Sequence, residues 1–169
     1  MDDAVWDKEK GELLIRGTRH TAIDAQMLCN HLDSLTGIRV AEVIMHNLEA
    51  RLGKLDVAKL KAEKPNASLP ELIEYLAKTN RLSGLGITNV TLPEDAQKPI
   101  EIEIANPGVK GTAGAAKAFA FSWWAGAFTE LLGKDMEAKS AFYDEEKNIL
   151  RAQIEARVLG GSQLPRSEK

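Results

Sequence analysis

The sequence predicts one α+β domain, in which an antiparallel β-sheet of about four to six strands is packed by helices on one face. Two observations carry this prediction. Pairs of short segments alternate apolar and polar residues, which is the period of a strand, and segments with helical spacing lie between them. A long segment rich in Gly, Ala and aromatic residues, 111–132, is too apolar for a helix at the surface.

The length of 169 residues fits a single domain. We expect residues 1–159 to form one ligand-binding domain. Residues 160–169, GGSQLPRSEK, have the composition of a disordered C-terminal tail.

The strands are predicted from alternation and turn residues. Residues 5–15 indicate an N-terminal hairpin with a polar tip that ends in glycine. Residues 87–92 and 100–104 form a second pair, and 136–140 and 150–156 a third, each with one face toward a core and one toward water.

Three helices are predicted between the first two strand pairs. The first begins at Thr21 or Asp24, either of which can cap it, and ends at Gly37. The second follows at once, and Gly53 stands where a C-cap glycine would end it. Leu55, Val57 and Leu60 leave an irregular continuation of this helix open. Residues 68–71, Ser-Leu-Pro-Glu, form a capping box that starts the third.

Composition and charge exclude several classes of function. A net charge of -3 with mixed signs along the chain disfavours nucleic-acid binding. Cys29 is the only cysteine, so no disulfide can form within the chain, and the acidic start MDDAVWDKEK has no signal-peptide stretch. We therefore expect a cytoplasmic protein. Lys117 and Glu130 inside segment 111–132 favour a buried helix over a membrane span.

Segment 111–132 is the strongest local feature. Gly114, Ala118, Ser122 and Gly126 are spaced by four residues and would form a small-residue ridge on one side of a helix. Such a ridge lets the sheet or a partner helix approach closely. The other sides carry aromatic residues, which either fill a core or line an apolar cavity: Phe119, Phe121, Trp123, Trp124 and Phe128.

No catalytic, cofactor or metal motif is present. The loop 108–112 before the long helix is glycine-rich and could hold an anion, but it lacks both the P-loop and the GxGxxG pattern. We interpret it as a turn and a helix cap. One cysteine with His20, His31 and His46 makes no zinc pattern, so we predict no catalytic residue, no cofactor and no metal site.

The segment from Gly114 to Glu155 resembles the C-terminal half of the 4-vinyl reductase domain family, also called hydrocarbon-binding domains. That half has a helix of the form aromatic-x-x-G-x-hydrophobic-x-x-hydrophobic-hydrophobic-G, followed by two strands. The matching residues here are Trp123, Gly126, Phe128, Leu131, Leu132 and Gly133. Many members carry cysteines on the final hairpin, whereas residues 139–150 of this chain contain none.

The resemblance implies a fold similar to TRAPP-type transport subunits and to heme NO-binding and aromatic-sensing ligand-binding domains, which are often dimeric. It also implies a pocket for a hydrophobic small molecule. We therefore predict a hydrocarbon-binding homodimer with Phe119, Trp123, Trp124 and Phe142 as pocket walls.

Two alternatives stay open. The chain could be a dimeric scaffold without a ligand, joined through the small-residue ridge or a sheet edge. It could also be a reductase-like enzyme acting on a tetrapyrrole-type substrate, as one branch of the family is linked to reduction of a vinyl group on chlorophyll precursors. Such an enzyme would need a borrowed cofactor, because the sequence carries no flavin or nicotinamide motif.

Overall fold

Eleven elements make up the described part of the chain. The structure, a computed structural model, describes residues 4–7, 12–15, 18–20, 24–95 and 98–157. The elements in order are β1 Ala4–Asp7, β2 Glu12–Ile15, β3 Thr18–His20, α1 Ala25–Thr36, α2 Ile38–Glu63, α3 Leu69–Leu82, β4 Ile87–Thr91, β5 Ile100–Ala105, α4 Gly114–Leu132, β6 Met136–Asp144 and β7 Ile149–Ala156.

The main sheet is antiparallel, with strand order β4-β5-β7-β6. On β5, Ile100, Ile102 and Ile104 are buried, while the residues between them face the other side. That other side is polar: Arg151 on β7 donates to Glu103 on β5 at 2.9 Å. One face of the sheet is thus exposed to solvent and the other packs against helices, which confirms the predicted α+β class.

The N-terminal hairpin is confirmed, because β1 pairs antiparallel with β2. A third strand, β3, pairs with β2 and was not predicted, since three residues are too few for alternation to be visible. The described residues of β1–β3 form a sheet separate from the main one. The predicted tail 160–169 lies outside the described residues.

Two predicted helix starts are confirmed. Asp24 caps α1, and its side chain accepts a hydrogen bond from the Met27 N–H at 2.9 Å. The capping box before α3 is present, with Glu71 accepting from both the backbone N–H and the hydroxyl of Ser68 at 2.7 Å.

The predicted end of the second helix at Gly53 is wrong. Helix α2 continues through Gly53 to Glu63 as one element of 26 residues. Gly53 is buried in mid-helix, and a Cβ at this position would overlap the carbonyl oxygen of Trp123 on α4. The glycine therefore serves a close helix crossing and not a cap.

Helix α4 lies at the centre of the domain, between the sheet and α2. It begins at Gly114, three residues later than position 111, and ends at Leu132. Gly133 follows as the C-cap in the left-handed conformation, with φ 67°. Phe121, Trp124 and Phe128 follow the spacing of one helix face and are each fully buried. They share one apolar core with the isoleucines of β5.

Candidate functional site

The small-residue ridge of α4 is covered by α2. A Cβ on Gly126 would overlap the backbone of Ala50, and Gly53 lies against the carbonyl of Trp123 in the same crossing. The predicted close approach of a helix is therefore confirmed, and the partner is α2 of the same chain. Since α2 already fills this surface, the ridge cannot form the dimer contact considered as an alternative.

Polar contacts close the rest of the ridge. Ser122 is 3 % exposed, and its hydroxyl lies 2.9 Å from Nδ1 of His46 on α2. At the start of α4, the carboxylate of Asp33 on α1 accepts from the N–H of Ala115 at 2.9 Å. A carboxylate of the chain itself thus occupies the position at the helix N-terminus where an anion would bind. The interpretation of loop 108–112 as the helix cap is therefore wrong: Ala113 stands at the N-cap position without a side-chain bond, and Asp33 of α1 supplies the acceptor.

A small, partly enclosed cavity lies on another side of α4. It forms where the end of α3, the end of β5 and the loop between β5 and α4 meet the helix. Its walls are one polar and seven apolar residues: Asn80, Leu85, Ile104, Pro107, Val109, Phe119, Ala120 and Trp123. Its volume of ≈ 20 Å³ has room for about one water molecule. We call it the aromatic cavity.

Two of the predicted wall residues, Phe119 and Trp123, meet at this cavity. They stand four positions apart on α4, so their side chains point the same way. The indole N–H of Trp123 points elsewhere and donates to the carboxylate of Asp56 on α2 at 2.9 Å. This bond holds the ring in place and leaves its apolar part toward the cavity.

The other two predicted wall residues lie outside the aromatic cavity. Trp124 is fully buried in the core, where its ring stacks on Phe128 at 5.9 Å and meets Trp123 edge-on at 5.1 Å. Phe142 lies on β6 next to an irregularity in the β6–β7 pairing, and 57 % of it is exposed. The structure thus separates these two side chains from Phe119.

Sequence reasoning missed Asn80, the polar wall of the cavity. It lies in the last turn of α3 within the polar run Lys78–Arg81, which has the composition of a solvent-facing turn, yet it is only 5 % exposed. Val109 and Leu85 were missed for a similar reason, because they lie in turns with no periodic pattern. Only the fold brings them to the α4 wall.

The loop wall of the cavity is held by a small set of contacts. The N–H of Lys110 donates to the side chain of Gln26 at 2.6 Å, and the N–H of Asn106 donates to the carbonyl of Asn148 at 3.0 Å. Gly108 lies against the carbonyl of Gly84, where a Cβ would come within 2.6 Å. The opposite wall is the α4 helix, so the loop is the less restrained side.

Two acidic residues of α2, Glu49 and Asp56, influence each other, and Asp56 also accepts from the indole N–H of Trp123. Burial, and then the nearby charge of Asp56, raises the pKa of Glu49 from its ordinary value of 4.5 to about 7.

Burial together with the charges of Asp33 and Glu49 raises the pKa of the Cys29 thiol to about 11. Cys29 is therefore a neutral thiol near pH 7 and a poor nucleophile, as expected for a small buried apolar residue.

A second depression, the polar groove, lies between α2, α4 and β6 and measures ≈ 520 Å³. Its charges are largely matched: Lys117 pairs with Glu42 at 2.9 Å, and Arg157 with Glu137 at 4.0 Å. The groove is therefore unsuited to an apolar molecule, although it is larger than the aromatic cavity.

Two structural features bear on the predicted absences. In the described ranges, no three His, Cys, Asp or Glu side chains are grouped so that they could hold a metal ion. None of the four helices described is both long enough and apolar enough to span a bilayer.

The chain is similar in fold to a known sensory domain. No family model matches the sequence, and no curated protein matches it significantly. Among solved structures, it is similar to the crystal structure of the phenol-responsive sensory domain of the transcription activator PoxR with phenol. The TM-score is 0.69 with 13 % sequence identity, over 91 % of this chain and 85 % of that chain.

At this identity the likeness establishes the fold alone. The chain therefore has the fold of a ligand-binding sensory domain. The narrower assignment to the 4-vinyl reductase domain family is matched by no family model and stays a prediction.

Proposed function

We propose that this chain is a small-molecule-binding domain that takes a hydrophobic ligand into the aromatic cavity. The observation that carries the proposal is a partly enclosed cavity with seven apolar lining residues, among them Phe119 and Trp123. Ligand sites in proteins are typically concave and apolar with a few polar groups. The fold shared with a phenol-responsive sensory domain supports the same function.

Binding requires the cavity to enlarge. A cavity of about 150 Å³ is enough for a benzene-sized molecule, whereas this one measures ≈ 20 Å³. We expect the loop that contributes Pro107 and Val109 to be the wall that moves, because it belongs to no helix or strand. The ligand's affinity is then reduced by the free energy of opening, and binding shifts the population toward the open form.

Of the predicted wall residues, Phe119 and Trp123 enter this proposal directly. Trp124 supports Trp123 from the core through the edge-on contact at 5.1 Å. Phe142 lies outside the aromatic cavity and serves as a natural control.

A thermal-shift screen with phenol, toluene and indole tests the proposal. At least one probe should raise the Tm of the wild-type protein, because a ligand that binds only the folded state stabilises it by mass action. Phe119→Ala should change this shift, and Phe142→Ala should leave it intact. The proposal fails if none of these probes raises the wild-type Tm at millimolar concentration.

We also propose that the protein is a homodimer that pairs through the outer side of α2. This side carries four exposed apolar residues on one line of the helix: Val40 at 52 %, Ile44 at 45 %, Leu48 at 52 % and Leu55 at 56 %. Exposed apolar patches of this kind mark interaction surfaces. The same helix buries its other side against α4, so α2 would be apolar on two sides in a monomer.

Light scattering coupled to size exclusion tests the dimer. The wild-type protein should run at twice the mass of 18.5 kDa, and the double variant Ile44→Glu/Leu48→Glu should run as a monomer. Thr91→Glu, at an exposed position on β4, is the control. A wild-type monomer at all concentrations would exclude this interface.

The two alternatives give different results in these experiments. A dimer that no probe stabilises would favour the scaffold without a ligand. Protein purified with a bound tetrapyrrole would favour the reductase-like enzyme.

A further inference from the structure

The polar groove has more cations than carboxylates. Three cations and two carboxylates line it: Arg39, Lys117, Arg157, Glu42 and Glu137. A second depression of ≈ 290 Å³ continues the groove along α2 and shares four lining residues with it. This depression adds two cations and one carboxylate: Arg51, Lys54 and Asp135. The two depressions together therefore have an excess of two positive charges, on a chain whose net charge is -3.

Arg39 is a cation in an unfavourable place. Its guanidinium makes no hydrogen bond and no ion pair with any other residue in the described ranges. It stands in the first turn of α2, which contains no acidic residue, and Gly37 before it supplies no side-chain cap. The partial positive charge of a helix N-terminus disfavours a cation there. An anion in the groove would offset both the charge of Arg39 and that of the helix end.

Two further donors line the same groove. Nε of Arg157 lies 4.0 Å from the carboxylate of Glu137, which is too far for a hydrogen bond, while the backbone N–H of Arg157 donates to the carbonyl of Asp135 at 2.8 Å. Nδ1 of His46 lies 2.9 Å from the hydroxyl of Ser122, and Nε2 has no partner within the described part of the chain. When Nδ1 accepts from that hydroxyl, the neutral imidazole carries its proton on Nε2 and can donate it to a ligand.

The size and lining of the groove define what fits. Its volume of ≈ 520 Å³ is within the range of about 300–1,000 Å³ that is typical of small-molecule sites. The α4 residues at its base, Ala118 and Ser122, are short and leave the space open. An apolar molecule would remove water from the charged side chains without replacing its hydrogen bonds. Guanidinium groups match the paired oxygens of carboxylates and phosphates, and two excess positive charges match a ligand with two negative ones.

We propose that the polar groove is a second ligand site, which binds a small polar dianion through carboxylate or phosphate oxygens held by Arg39 and Arg157. His46 donates a further hydrogen bond from Nε2, while Ser122 holds its ring. The inference goes beyond the proposed function, because the groove and the aromatic cavity share no lining residue. The two sites lie on different sides of α4, so each can be occupied without the other.

Isothermal titration calorimetry at constant ionic strength tests the second site with three probes: glycerol 3-phosphate, malate and glycerol. At least one of the two dianions should bind the wild-type protein, and uncharged glycerol should not. Arg39→Gln and Arg157→Gln should each weaken that binding about tenfold, since each removes a charge-assisted contact. Arg81→Gln, the same change at an exposed position of α3, should bind as the wild type does. The dianion that binds more tightly distinguishes a phosphate ligand from a dicarboxylate.

Three results would overturn the inference. The first is that neither dianion binds the wild type at millimolar concentration. The second is that Arg39→Gln and Arg157→Gln, with wild-type Tm values, bind as tightly as the wild type. The third is that Arg81→Gln loses as much affinity as these two variants, because binding would then follow the overall charge and not the groove.

A histidine resonance locates the bound dianion. His46 lines the groove, whereas His31 on α1 lines a separate depression. Binding should shift the Cε1–H resonance of His46, assigned with His46→Gln, and leave that of His31 in place. A dianion that binds without shifting the His46 resonance would lie elsewhere, and the assignment would be wrong. Failure of this site leaves the aromatic cavity unaffected, and a failed screen with phenol, toluene and indole leaves this site unaffected.

Discussion

Helix α4 has two sides that differ in how completely they are filled. On the ridge side, Gly126 meets the backbone of Ala50 so closely that no side-chain atom fits between them. On the other side, Phe119 and Trp123 meet a loop and the end of α3 and leave a small cavity. Two helix backbones can close on each other when glycines meet, whereas aromatic rings and turns rarely match in shape. The ridge side, which we call the tight side, therefore holds the fold. The side with Phe119 and Trp123, which we call the imperfect side, has space for a ligand.

The largest effect is expected from adding one methyl group on the tight side. Gly126→Ala places a Cβ into the backbone of Ala50, so α2 and α4 must separate. We expect a loss of about 4 kcal/mol or more in the free energy of unfolding, measured by urea denaturation. Ala58→Ser, a change of similar size at an exposed position of α2, should cost less than about 0.5 kcal/mol. A mild effect of Gly126→Ala would show that the crossing is looser than described.

Truncating the two predicted wall residues outside the cavity should give very different results. Trp124→Ala removes a fully buried ring and should cost about 3–5 kcal/mol. Phe142→Ala removes a ring that is 57 % exposed and should cost less than about 1 kcal/mol. Thermal unfolding of the two variants measures the difference, and equal Tm values would contradict the placement of one of them.

A pH dependence should come from Glu49 on α2, the helix that covers the tight side. Its pKa is 4.5 ordinarily and about 7 in the folded protein, so the folded state binds more protons between these values. Stability from this group is therefore fully present below pH 4.5 and is lost as the pH rises to 7, by about 2–3 kcal/mol. Glu49→Gln should remove this decline and be more stable than the wild type at pH 8. Urea titrations at pH 5 and pH 8 test it, and parallel declines in both proteins would exclude Glu49 as the cause.

The smallest effect is expected from filling the imperfect side. Val109→Ile adds one methyl group to a buried cavity wall and should raise the free energy of unfolding by about 0.5–1 kcal/mol. The same change should weaken binding of whichever of phenol, toluene and indole raises the wild-type Tm, because the ligand and the added group compete for space. A more stable variant that binds as well as the wild type would place the ligand elsewhere.

Much of the fold was predictable because local signals agreed with the tertiary structure. The capping box at Ser68, the alternation on β5 and the glycine at position 133 each mark an element that packing does not alter. Gly53 was misinterpreted because a glycine at a helix end and a glycine at a helix crossing look alike in sequence. Their difference lies in the neighbouring helix, which pattern analysis does not include.

The candidate site was predictable only in part. The aromatic residues of α4 stood out by composition, and Phe119 and Trp123 do line a cavity. Asn80 carried no signal, because a polar residue at the end of an amphipathic helix normally faces water. Its burial depends on the loop after β5, which covers it from 27 or more positions away along the chain.

The sequence by itself determined most of the helices and strands, and that α4 is buried, because periodicity and the lack of a charged side follow from the order of residues alone. Only the tertiary structure decided which neighbour covers each side of α4. That choice depends on the shapes of surfaces distant in sequence: the α2 backbone fits the glycine ridge, and the α3 end and the β5–α4 loop do not quite fit the aromatic side. The space left between them, with the Asn80 amide facing it, is a property of that fit.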